Sequence, residues 1–159
     1  MKPNKKKTFA VAALLAGLVG APAALSHLNP DTFYVSYRQS LFAILGANLG
    51  PMSAMIKGEM PWDDAQFKAF ADDLALASEL DFMRGFPDGN QPGKTRAKPE
   101  IWENKADFEA KMNDLRTASA NLAEAAAGSD KKAIMAAFQA TGGACKACHD
   151  EYKTKDYIN

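Results

Sequence analysis

Two cysteines and a histidine stand within five residues near the end of the chain, in "GGACKACHDEY", residues 142–152. Cys145 and Cys148 are the only cysteines, and His149 is one of two histidines. On a helix, residues i, i+3 and i+4 share a face, so the two thiols and the imidazole are neighbours. Cys-x-x-Cys-His suits covalent haem attachment. Two thiols add to the two vinyl groups along one porphyrin edge, and the adjacent imidazole reaches under the ring to bind iron. Other uses of these residues fit less well. A thioredoxin-like redox pair needs a βαβ context, which the sequence lacks. A structural zinc site wants four ligands, and the other histidine, His27, stands far away near the start. A disulfide within one helical turn is strained and leaves the histidine without a task. One haem c per chain is therefore expected, covalently attached, with His149 as metal ligand.

The start of the chain fits the oxidising compartment where such attachment takes place. Lys2, Lys5, Lys6 and Lys7 precede an apolar run from Phe9 to Val19, and small residues follow up to Ala23 and Ser26. This is the pattern of a secretory signal, and the run falls short of the roughly 20 residues of a spanning helix. The expectation is a signal peptide over 1–26, cleaved after Ala23 or Ser26, and a periplasmic domain over 27–159. Cleavage removes four lysines and no acid, so a formal charge of +0 becomes −4. A mildly acidic surface argues against nucleic acid, or an anionic membrane, as the main partner. About 133 residues remain, enough for one sizeable core, and 47% hydrophobic with 24% charged residues is ordinary for a globular chain.

Four amphipathic stretches can position the motif. The first spans roughly 31–58. Phe33, Tyr37, Leu41 and Ile44, and again Val35, Phe42, Leu45, Leu49 and Met52, recur at helical spacing. Together they cover a wide face, so this helix has more than one neighbour to satisfy. Gly50-Pro51 is expected to kink or locally break it. The second runs from about Asp63 to Arg84, where Asp63 and Gln66 resemble a capping box. Residues 85–102 lack a helical pattern and are long for a connection, as a crossover along a bundle would be. The third, about Lys105 to Ala127, sets Phe108, Met112, Leu115, Ser119, Leu122 and Ala126 at steps of four and three, the seam of a helix bundle. The fourth begins near Ser129-Asp130, a good N-cap. Its stripe of Ile134, Phe138, Thr141, Cys145, Cys148 and Tyr152 carries the cysteines toward the bundle centre. Gly142-Gly143, costly in a helix by about 1 kcal/mol each, leave room for a bulky planar group or a neighbouring backbone. No stretch alternates with period two, so no strands are expected. The fold class is all-α, an antiparallel four-helix bundle with one covalently bound haem.

Electron-carrier cytochromes usually bind iron through His and Met, and no Met follows His149. A methionine ligand must come from Met52, Met55, Met60, Met83, Met112 or Met135, although a Met among apolar residues at helical spacing more often fills a core.

At this point the chain resembles the cytochromes c′. The resemblance covers essentially the whole mature chain. It rests on "YRQS" at 37–40, "LGPMSAMIKGEMPWD" at 49–63, "PGKTRAKPEIW" at 92–102 and "GGACKACHDEY" at 142–152. It implies a four-helix bundle with a C-terminal haem motif, and a homodimer whose first helices cross at the interface. It implies that Cys145 and Cys148 carry the thioethers and that His149 is the proximal ligand. Arg38 matches the family's arginine near a haem propionate, and Phe42 matches the position over the open iron face. Low-spin relatives have a Met on this first helix. Phe42 cannot coordinate iron, which favours a five-coordinate, high-spin haem. One departure is Lys153, where many relatives carry arginine one turn after the histidine. Lysine lacks the planar fork, so the resemblance leaves the proximal side open.

A vacant iron position under an apolar side chain selects small uncharged ligands. Dioxygen finds no hydrogen-bond donor there, whereas nitric oxide and carbon monoxide need none. The expected function is a periplasmic haem protein that binds nitric oxide or carbon monoxide, buffering or carrying nitric oxide. The alternative is an electron-transfer cytochrome with a His/Met haem and a redox partner protein. A peroxidase would want a distal His or Arg, so no enzyme is expected.

Overall fold

The computed structural model describes residues 32–89, 93–128 and 130–158. The expected signal peptide, both cleavage positions and His27 lie outside them. Helix α1 (Phe33–Lys57) is followed by α2 (Asp64–Ser78), a 3₁₀ turn (Phe82–Gly85), strand β1 (Thr95–Ala97), short helix α3 (Glu100–Glu103), α4 (Lys105–Ala127), α5 (Lys131–Tyr152) and strand β2 (Lys153–Ile158). The four long helices form the bundle: α1 packs on α2, α2 on α4, and α4 on α5.

Local chemistry sets the ends. Gly58 closes α1 in the left-handed conformation at φ 75°, its N–H turned back to the carbonyls of Ala54 and Met55. The Asp63 carboxylate accepts the Gln66 N–H at 2.9 Å and opens α2. Asp130 opens α5, accepting the N–H groups of Lys132 and Ala133. The seam expected on the third helix is the one observed: Phe108, Met112, Leu115, Ser119, Leu122 and Ala126 are all buried on α4. Opposite it, α5 buries Ile134, Thr141, Cys148 and Tyr152. The Thr141 hydroxyl donates to Ala137 O at 2.9 Å, and Ala118 O on α4 lies 3.2 Å away.

Four expectations are corrected. Of the kink or break expected at Gly50-Pro51, the break does not occur, since α1 runs through Pro51 to Lys57. The second helix stops at Ser78 rather than Arg84, and the chain re-coils as a 3₁₀ turn capped by Asp81, whose carboxylate accepts the Arg84 N–H. Strands do occur: β1 pairs antiparallel with β2, Thr95 opposite Ile158 and Ala97 opposite Lys153. This ribbon joins the crossover to the chain end, a long-range pairing that local periodicity cannot announce. Ile44, read as apolar face, is 46% exposed.

Leu122 is fully buried in the α4 seam. Leu122→Ala is expected to cost about 2–5 kcal/mol, read as a lowered midpoint in guanidinium unfolding.

Candidate functional site

Helices α1, α4 and α5 and the ribbon enclose a cavity of about 610 Å³. Cys145, Cys148 and His149 from α5, and Arg38 and Phe42 from α1, all line it. The structure thus gathers the five residues singled out from sequence into one place. Met112 and Leu115 complete the wall from α4. Gly142 stands three residues before Cys145 and seven before His149, on the same helix face. A Cβ added there would meet nothing within 4 Å, but Gly142 is exposed and does not line the cavity.

The last turn of α5 is bolted in place. The Tyr152 hydroxyl donates to Asp107 on α4 at 2.6 Å. Lys111 reaches both Asp107 at 3.3 Å and Glu151 at 3.2 Å. At the helix end, the Lys98 ammonium donates to the Glu151 carbonyl at 2.8 Å, a cation on the negative end of the helix dipole. Burial raises the Cys145 thiol's pKa and pushes that of Cys148 up to about 11. Neither thiol is set up as a reactive thiolate. Burial first, then Lys153 and Arg96, lowers the His149 pKa. That direction favours the neutral imidazole, whose lone pair a metal would take.

Arg38 is 4% exposed. Its guanidinium donates to Gly85 O at 3.0 Å and to Thr95 Oγ1 at 3.1 Å. It lies 5.2 Å from the Phe86 ring centroid and 5.8 Å from that of Trp102. One turn on, the Phe42 ring packs against the buried Phe82 ring, centroids 5.7 Å apart. The 3₁₀ turn therefore holds both α1 residues: Gly85 takes the guanidinium and Phe82 backs the Phe42 ring. Gln39, Thr95, Arg96 and Tyr152 also line the cavity, and sequence reasoning gave none of them a site role. Arg96 stands inside "PGKTRAKPEIW", and that motif was the available signal.

The donor set suits haem. Arg38, Arg96 and Lys153 line the cavity with no Asp or Glu among the lining residues, which matches two propionates. The apolar wall matches a macrocycle, and two thiols with one imidazole match vinyl groups and iron. Among the described residues no three His, Cys, Asp or Glu cluster to hold a bare metal ion. Of the six methionines considered as iron ligands, Met112 alone lines the cavity.

Comparison with known proteins gives a consistent result. The family model described as Cytochrome C' matches residues 34–153. Cytochrome c' of Cereibacter sphaeroides is 37% identical over 145 residues, covering 89% of this chain and 97% of that protein. The structure of cytochrome c prime from Shewanella frigidimarina aligns with a TM-score of 0.76 at 41% identity, covering 80% of this chain and 99% of that one. A nitric oxide complex of a variant cytochrome c prime from Alcaligenes xylosoxidans aligns with a TM-score of 0.70 at 35% identity, covering 80% and 99%.

A methyl group added at Gly85 would stand 2.8 Å from Arg38 Cβ and 3.3 Å from Tyr37 Cδ1. Gly85→Ala is expected to push the 3₁₀ turn off α1 and to cost about 1–3 kcal/mol, measured by thermal unfolding.

Proposed function

We propose a function from one premise: the chain belongs to the cytochrome c′ family, which carries covalently attached haem c. On this reading, Cys145 and Cys148 hold the haem through thioethers and His149 is the iron's protein ligand. Arg38 binds one propionate. Phe42 covers the opposite iron face and leaves a five-coordinate, high-spin site. The protein binds nitric oxide or carbon monoxide and serves to buffer or carry nitric oxide. Export through a signal peptide over 1–26 would place it in the periplasm. A second copy crossing at α1 would cover Tyr34 and Ile44, which are 41% and 46% exposed.

The observation that carries the reading is the composition of the cavity wall around Phe42. Its neighbours Leu45 and Leu49 are apolar, and the nearby Arg38 guanidinium is engaged by Gly85 and Thr95. Bound haem iron supplies one open coordination position. The chain's residues exclude water from it, give dioxygen no hydrogen bond, and admit a diatomic gas when the Phe42 ring yields. The nitric oxide complex solved for the Alcaligenes xylosoxidans variant supports this choice of ligand. A peroxidase would need a distal His or Arg free to cleave the O–O bond, whereas Phe42, Leu45 and Leu49 make this wall apolar. The electron-transfer alternative has one observation in its favour: Met112 lines the cavity.

The test is the absorption spectrum of the reduced protein before and after carbon monoxide. A broad high-spin spectrum that shifts with gas is expected, unchanged by Met112→Leu. A sharp spectrum indifferent to gas, made gas-responsive by Met112→Leu, would establish the alternative. Phe42→Ala is expected to speed carbon monoxide association by about tenfold, or about 1.4 kcal/mol of barrier. Phe82→Leu, which removes the ring backing Phe42, is expected to speed it less.

A further inference from the structure

The charge of this chain is unevenly placed. Residues 93–98 and 153–158 form the ribbon and its approach, and hold Lys94, Arg96, Lys98, Lys153 and Lys155 against one acid, Asp156. The other described residues hold ten bases against seventeen acids. Ion pairs among the described residues engage Lys68, Arg84, Lys105, Lys111, Arg116 and Lys146. None of the five ribbon cations is in one. Three have other duties. Arg96 and Lys153 line the cavity, and Lys98 caps the carbonyl end of α5. Lys94 and Lys155 are exposed. Lys155 sits between Lys153 and Tyr157, the two β2 residues that line the cavity, and shares their strand face. Tyr157, at the cavity lip, is 63% exposed.

We propose that this basic ribbon is a docking surface for a small acidic protein that donates one electron through the cavity mouth. The proposal rests on the haem reading given above. Its chemistry is simple: the donor loses one electron, ferric iron becomes ferrous, and no bond or proton moves. Carbon monoxide binds only ferrous iron, so a gas-binding haem in an oxidising compartment needs such a donor. The charge pattern selects the site. An acidic partner meets a net-acidic remainder of the surface and a net-basic ribbon, a contrast that orients the encounter. An exposed tyrosine inside a polar, cationic rim supplies the apolar anchor that interfaces favour.

The experiment measures the second-order rate at which a reduced acidic ferredoxin reduces the ferric protein at rising salt. The rate is expected to fall by about tenfold from low to high salt, against the rise that two net-acidic proteins would show without a local patch. Lys94→Glu with Lys155→Glu should abolish the fall, while Lys57→Glu, at the far end of α1, should preserve it. All variants should keep the wild-type haem spectrum and the same rate with ascorbate. A rate that rises with salt in the haem-bearing protein, or one indifferent to Lys94 and Lys155, would overturn the proposal alone. A purified chain with no haem spectrum would overturn the premise and the proposal together. Lysine-dependent pelleting with phosphatidylglycerol vesicles, without salt-sensitive reduction, would assign the ribbon to a lipid surface and also overturn it.

Discussion

A guanidinium that cannot lose its charge is buried at the side of this bundle, and the surrounding chain is organised around it. Desolvating such a group is costly unless oxygen acceptors and aromatic faces replace water. Arg38 finds Gly85 O, Thr95 Oγ1, and the rings of Phe86 and Trp102. These partners come from the 3₁₀ turn and the segment after it, from β1, and from α3. One side chain on α1 thereby gathers the 3₁₀ turn, β1 and α3 against the bundle. Gly85 permits it, because its missing Cβ is the space that the Arg38 side chain uses.

The same arrangement builds the cavity. With the crossover held on one side and α5 fixed to α4 through Tyr152 and Asp107 on the other, the space between stays open rather than collapsing. Its lining carries three cations and no carboxylate. An interior of that kind is poorly balanced alone and well balanced around a dianionic ring. In the haem reading, the propionates complete the electrostatics, the macrocycle fills the apolar wall, and His149 meets iron from a helix that cannot easily rotate. On that reading Phe42, whose ring is backed by Phe82, would cover the open iron face from α1.

The parts written in local spacing were readable in advance. The seam of α4 has a regular step of four and three. Cys145, Cys148 and His149 share a face once α5 is a helix, and Asp63 and Asp130 announce their helices as caps. What escaped was written in distance along the chain. The ribbon pairs residues 95–97 with 153–158, with neither segment alternating in its own sequence. Arg38 is singled out only through the resemblance to a family, because its acceptors lie 47 and 57 residues away and no local spacing announces them. Pro51 carries the signal of a helix break, yet α1 continues through it, an outcome that propensity alone does not decide.

The central claim is that this wall of side chains leaves iron with His149 as its single protein ligand. Resonance Raman spectroscopy of the reduced protein tests it most directly, because the iron–histidine stretch is seen only in five-coordinate high-spin haem. The account predicts that band, and predicts that it vanishes in His149→Ala and returns at a shifted position when imidazole is added. A low-spin spectrum without the band, restored to high spin by removing the Met112 sulfur, would contradict it.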